Sequence, residues 1–146
     1  MDNLQTTLRT KYQPKAGSRL DQAINQLDGT EQHIAELESV EHKHAATLAT
    51  LNITVTWQTD PAQLAQDRIL QSALVDVLHE VRKVLDIKRR SMPKERQDLQ
   101  AIDDELSSLQ VDAQLSQERK DHSLSQSNQA AAAQSRLEAA VKRNLA

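Results

Sequence analysis

Apolar residues recur every three or four positions along three stretches of the chain, the spacing that aligns side chains on one side of an α-helix. The first stretch runs from about residue 19 to residue 51 and follows a suitable N-cap, Ser18, with Asp21 three residues later. Positions a and d of its seven-residue repeat, lettered a to g, are Leu20, Ala23, Leu27, Thr30, Ile34, Leu37, Glu41, His44, Leu48 and Leu51. Seven of these ten residues are apolar, which predicts a long helix that packs along one seam.

The second stretch starts at Asp60-Pro61, an N-cap residue followed by proline at the first helical position, and extends to about Arg90. Its apolar residues cover a wide arc of the helix, which predicts contacts with two or more neighbours or an oligomer interface. Ser91-Met92-Pro93 then predicts a break, because the residue before a proline is disfavoured in the α-helical region. A third helix is expected to start near Pro93, with a narrow seam of Leu99, Ile102, Leu106, Leu109 and Ala113.

Shorter segments flank these helices. Residues 2–13 predict a short helix, and residues 130–145 predict a short, alanine-rich amphipathic helix. In residues 52–60 the apolar side chains of Ile53, Val55 and Trp57 alternate with polar ones, which predicts an extended connector laid on the end of a bundle. Residues 116–129 are polar and are expected to form either a solvated helical extension or a hinge.

Together these elements predict an all-α, coiled-coil-like protein with a short C-terminal helix. An elongated antiparallel three-helix bundle is favoured, because the second and third helices are joined by only a few residues. A long helical hairpin is the alternative. The predicted organisation is an N-terminal short helix or arm at 1–17, the bundle at 18–121, and a polar hinge with the alanine-rich helix at 122–146.

Composition narrows the function classes. The 146 residues include two glycines, three prolines and no cysteine, which argues against Gly-rich nucleotide-binding folds, disulfide scaffolds, thiol catalysis and cysteine-ligated zinc. No long apolar run predicts a membrane span, and the N-terminal residues do not resemble a signal peptide. We therefore expect a cytoplasmic protein.

Charge is distributed unevenly behind a net charge of −3. The middle of the first helix is acidic, whereas nine basic residues form two clusters: Arg9, Lys11, Lys15 and Arg19, and Lys88, Arg89, Arg90, Lys94 and Arg96. In a three-helix bundle both clusters would lie at the same end and form one basic pole. Such a pole would suit an acidic protein or a phosphate backbone. Alternatively, the basic residues at 88–90 only oppose the dipole at a helix C-terminus.

No catalytic, cofactor-binding or metal-ligating residue is predicted, because no nucleophile–base pair or paired carboxylates stand out. The sequence predicts a non-enzymatic interaction protein, such as a helical adaptor, assembly factor or inhibitor. Its partner is expected to be another protein, with a homodimer as a further option, and nucleic-acid binding through the basic pole is the alternative. The candidate interface residues are Trp57, Leu74, Val77, Val81, Leu137 and Val141. Burial of Trp57 at the bundle end is expected, and exposure would instead mark it as an interface residue.

Overall fold

The computed structural model describes residues 3–120 and 127–146, and all regular secondary structure in these ranges is α-helical. The helices are α1 (Leu4–Tyr12), α2 (Arg19–Trp57), α3 (Pro61–Lys120) and α4 (Ser127–Asn144). α2 and α3 pack together as a hairpin, and the short C-terminal helix is present. The all-α prediction is confirmed, and the long hairpin replaces the favoured three-helix bundle because the predicted second and third helices form one helix.

The two long helices begin where the sequence predicts. The backbone N–H of Asp21 donates to Ser18 Oγ at 3.3 Å, and the Asp21 carboxylate accepts the N–H of Gly17 at 2.9 Å. At the start of α3, the N–H of Ala62 donates to Asp60 Oδ1 at 3.1 Å. These side chains satisfy N–H groups that have no partner inside the helix, and they thereby fix where each helix starts.

The predicted extended connector at 52–60 is wrong, because α2 continues to Trp57. Threonine hydroxyls in this segment bond to carbonyl oxygens one turn earlier: Thr54 Oγ1 to Thr50 O at 3.1 Å, and Thr56 Oγ1 to Asn52 O at 2.9 Å. β-Branched residues are therefore accommodated in a helix whose inner side is still apolar at Leu51. The alternation of apolar and polar residues here comes from threonines placed within a helix and does not indicate a strand.

The predicted break at 91–93 is also wrong, since α3 continues through Pro93. A proline inside a helix removes one hydrogen bond and costs about 3 kcal/mol. However, the inward-facing positions of α3 keep their alternating spacing of three and four residues on both sides of Pro93. Leu85, Met92 and Leu99 mark successive repeats of this series. Packing along this seam outweighs the local cost, so the helix does not turn.

The chain forms two compact units, Met1–Gly29 with Pro93–Ala146 (unit 1) and Thr30–Met92 (unit 2). The division falls at a glycine in α2 and a proline in α3, which are poor residues for a helix interior. In unit 1, α1 and α4 pack with the start of α2 and the end of α3. Its buried apolar residues are Leu8, Leu20, Ile24, Leu27, Leu99, Ile102, Leu106, Ala113, Ala133 and Ala140.

Unit 2 is a two-helix hairpin with a single seam. Its buried apolar residues are Ile34, Leu51, Leu74, Leu78 and Leu85. Three contacts show the antiparallel register: Arg89 with Glu38, Arg82 with Glu41, and Gln71 with Asn52. All ten a and d positions predicted for the first helix are buried or half-buried, which confirms the repeat in α2.

The alanine-rich helix α4 docks inside unit 1. Ala133 and Ala140 are almost fully buried and Leu137 is half-buried between them, so small side chains allow a close approach to the neighbouring helices. Arg143 pairs with Glu105 of α3, and the N–H of Lys15 donates to Leu145 O at 2.7 Å. Within the predicted hinge region, α3 extends to Lys120, and residues 121–126 lie outside the described residues.

Replacing Pro93 with alanine is expected to raise the free energy of unfolding by about 2 kcal/mol, because the restored hydrogen bond exceeds the lost rigidity of the unfolded chain. Denaturant titration followed by circular dichroism measures this change. Gly29→Ala is a second helix-interior variant with open space around the new Cβ, and we expect it to add about 1 kcal/mol. A destabilised Pro93→Ala protein would contradict an uninterrupted α3.

Candidate interaction surface

The predicted basic pole depends on a turn between two helices near residues 91–93, and this turn is not formed. Residues 88–96 lie inside α3, so the turn that would bring the two clusters to one end of a bundle is absent. Lys88, Arg89 and Arg90 belong to unit 2. Arg9, Lys11, Lys15, Arg19, Lys94 and Arg96 belong to unit 1.

Several of these basic side chains already contact other residues of the chain, most of them on a neighbouring helix. Arg9 pairs with Asp28 at 2.7 Å and donates to Asn25 at 2.8 Å, which ties α1 to α2. Arg89 pairs with Glu38 across the unit 2 hairpin at 2.9 Å. Arg19 donates to Asn144 at 3.3 Å, and Arg90 pairs with Asp86 one turn away in α3 at 2.7 Å. The ion pairs among these contacts are exposed and individually weak, but they partly neutralise the residues of the predicted basic pole.

A polar cluster fastens α1 to α3. The Tyr12 hydroxyl donates to Asp103 Oδ1 at 2.7 Å and lies 3.0 Å from Ser107 Oγ. Lys11 Nζ lies 3.2 Å from Asp103 Oδ1 and 2.9 Å from Ser107 Oγ. Asp103 and Ser107 were not predicted from the sequence, although each directly follows a seam residue, Ile102 and Leu106.

This environment shifts three pKa values. Burial of the phenol raises the pKa of Tyr12. Burial alone would raise the pKa of Asp103, but the hydrogen bonds from Tyr12 and Lys11 outweigh it and hold that pKa below the usual value. Hydrogen bonding to Tyr12 and then to Asp103 raises the pKa of Lys11. The cluster therefore favours an ionised aspartate beside a protonated lysine and a neutral tyrosine.

Tyr12→Phe is expected to lower the free energy of unfolding by about 1 kcal/mol, because the half-buried hydrogen bond to Asp103 is lost. The depressed pKa of Asp103 stabilises the fold above about pH 4, and this contribution disappears as the pH falls through the folded-state pKa. The raised pKa values of Tyr12 and Lys11 stabilise the fold below about pH 10, and this stabilisation disappears as the pH rises through the folded-state pKa values. Unfolding free energies measured across pH test both limbs.

Thr10→Val is the matched control, since the Thr10 hydroxyl bonds only to Thr6 O within α1. It is expected to leave the pH dependence unchanged. An identical pH dependence in wild type and Tyr12→Phe would show that the cluster does not hold α1 in place.

Trp57 is exposed, which corrects the expectation that it is buried at the end of a bundle. Its exposed fraction is 78%, because it lies at the last residue of α2 and on the outer side of that helix. Ile53, four residues earlier and therefore on the same side, is 65% exposed. The two side chains form an apolar patch next to the loop of the unit 2 hairpin.

Of the other predicted interface residues, three are covered by packing within the chain and two are exposed. Leu74 is buried and Val81 half-buried in the seam between α2 and α3, so these two serve the internal packing of unit 2. Leu137 is half-buried by the docking of α4, whereas Val141 is 37% exposed. Val77 is 43% exposed, on a side of α3 that the hairpin does not cover.

Within residues 3–120 and 127–146, no three histidine, aspartate or glutamate side chains lie close enough together to hold a metal ion. A groove in unit 1 is lined by charges of both signs, including Arg19, Glu95 and Asp98, and contains no nucleophile with a neighbouring base. In the same described ranges, none of the helices is long and apolar enough to span a bilayer.

Comparisons with protein-family models, curated proteins and solved structures found no match to this chain.

Proposed function

We propose that this protein is a non-enzymatic helical interaction protein, an adaptor, assembly factor or inhibitor. In this proposal it binds a protein partner through the apolar patch of Ile53 and Trp57. The exposure of Trp57 is the observation that carries the proposal. A tryptophan covers a large area with few rotatable bonds, and tryptophan is enriched among the residues that dominate binding energy.

The surroundings of the patch favour a protein partner over a nucleic acid. Between Thr47 and Gln66 the sequence contains one charged residue, Asp60. The centres of protein–protein interfaces are depleted of charge and enriched in aromatic residues, whereas phosphate binding requires lysine and arginine. The end of the hairpin has the low charge and the aromatic residue of a protein–protein interface. The expected partner therefore presents an apolar pocket and not an acidic surface.

The patch lies on a helix that is tied to the neighbouring helix. Ile53 and Trp57 lie on one helix, and Gln71 of α3 donates to Asn52 at 2.6 Å beside them. Binding to a patch held in place costs less conformational entropy than binding to a mobile segment. A cytoplasmic location, expected from the sequence, remains a prediction.

Trp57→Ala is expected to weaken partner binding by about 2 kcal/mol or more, roughly a thirtyfold loss of affinity. The partner is first obtained by affinity capture from extracts of the source organism, and its affinity for the purified chain is then measured. Since Trp57 is the only tryptophan, its fluorescence reports directly whether the partner covers it.

Val111→Ala is the matched control, because Val111 is 54% exposed on α3 in unit 1, outside the patch. It should bind like wild type. Unchanged binding by Trp57→Ala would overturn the proposal. Salt-sensitive binding to an oligonucleotide, lost on replacing Lys88, Arg89 and Arg90 with alanine, would favour the nucleic-acid alternative instead.

A further inference from the structure

A second apolar stripe follows α3 through unit 2, outside the seam with α2. The inner seam uses positions a and d of the repeat, with Gln71, Leu78 and Leu85 at a. The second stripe, which we call the outer seam, uses positions g and c and consists of Leu70, Ala73, Val77, Glu80, Val84 and Ile87. Its large apolar members are exposed: Leu70 by 49%, Val77 by 43%, Val84 by 36% and Ile87 by 57%.

The spacing of the outer seam is that of a helix-packing surface. Its members follow one another at intervals of three and four residues, as in the inner seam. It extends about 26 Å along the helix, at about 1.5 Å per residue. It lies about a quarter of a turn around α3 from the inner seam, so another helix could pack there without displacing α2.

Charges beside the outer seam indicate which helix fits. Position f lies next to the outer seam, and in unit 2 it is occupied by Ile69, Asp76, Lys83 and Arg90. The side chains of Asp76 and Lys83 make no ion pair or hydrogen bond among the described residues of this chain. One acid and one base, separated by a single repeat, form a self-complementary pair for two antiparallel copies of the same helix.

We propose that two copies of this chain associate through their outer seams, with the α3 helices antiparallel. In the proposed register, Leu70 of one copy faces Ile87 of the other, and Val77 faces Glu80. Asp76 of each copy then lies beside Lys83 of the other, and twofold symmetry produces this ion pair twice.

The charges at position f favour this register over the two registers that differ from it by one repeat. A shift of one repeat in one direction places the two copies of Asp76 side by side, and a shift in the other direction places the two copies of Lys83 side by side. Like charges at such positions disfavour association, whereas opposite charges fix partner and register. Of these three registers, only the proposed one brings no two like charges of position f together. The register that places Lys83 against Lys83 would also place Asp76 beside Arg90, but Arg90 already pairs with Asp86 of its own helix.

Glu80 is the only ionisable residue of the outer seam, and it limits the strength of the association. Glu80 lies one turn from Lys83 of its own helix, so the single charge of that lysine is shared between Glu80 and Asp76 of the other copy and offsets them only in part. A polar residue within an apolar seam specifies register at a cost in stability. This surface differs from the Ile53–Trp57 patch, so self-association and partner binding are separate properties.

Charge reversal tests the proposal through the oligomeric state of the full chain, measured by analytical ultracentrifugation over a range of concentrations. Wild type is expected to form a dimer. Asp76→Lys and Lys83→Asp are each expected to raise the dimer Kd by about tenfold or more, because like charges then face each other twice. An equimolar mixture of the two variants should associate again, as should the double variant Asp76→Lys/Lys83→Asp.

Glu118→Lys is the control, since it makes the same change in net charge as Asp76→Lys at an exposed position of unit 1. It should dimerise like wild type. A monomeric wild type at all concentrations would overturn the proposal and leave the outer seam to a different protein or to solvent. So would single variants that dimerise normally, or a mixture that does not associate. None of these results depends on Trp57.

Glu80→Leu provides an independent measurement on the same surface. It is expected to lower the dimer Kd by about tenfold or more, because an apolar residue then faces Val77 of the other copy. Circular dichroism checks that the helical content is unchanged. A dimer that is unaffected or weakened by Glu80→Leu would exclude Glu80 from the interface and overturn the proposed register.

Discussion

Aliphatic packing between α2 and α3 is the interaction on which the rest of this protein depends. With 1% aromatic residues, the chain has little besides leucine, isoleucine, valine and alanine to bury, and it aligns them at heptad spacing. Packing along this seam keeps α3 helical at Pro93 and keeps α2 helical at its threonine-rich end. Local conformational preferences oppose a helix at both places. Cooperative packing along a long helix overrides such local costs, because each added turn buries further seam residues.

The same seam explains why the two units differ. A pair of helices buries one side of each, whereas a four-helix arrangement covers several sides. Unit 1 adds α1 and α4 and buries Leu8, Ala133 and Ala140 through them. Unit 2 has two helices, and nine of the twelve large hydrophobic residues described as exposed belong to it. The surfaces available for recognition are therefore concentrated in the part of the chain with the thinnest core.

Charge acts mainly on specificity here. Ion pairs such as Arg9 with Asp28 and Arg89 with Glu38 are exposed, so each contributes little to stability. Arg89 with Glu38 instead favours one register of the α2–α3 seam, which would otherwise tolerate shifts by a full repeat, and Arg9 with Asp28 ties α1 to α2. The more buried contact between Tyr12 and Asp103 has a larger role, because it positions α1 through a directional hydrogen bond.

The sequence by itself determined the all-α class, the seam of α2 and the N-caps at Ser18 and Asp60, because periodicity and capping are local properties. Tertiary structure decided whether Pro93 ends a helix, since a favourable seam on both sides can outweigh a local cost. It also decided the environment of Trp57: a local pattern does not specify whether another element covers a side chain. The Tyr12–Asp103 contact joins residues 91 positions apart, so it depended on how the helices pack. The predicted basic pole also depended on tertiary structure, because it required a turn at residues 91–93 that α3 does not make.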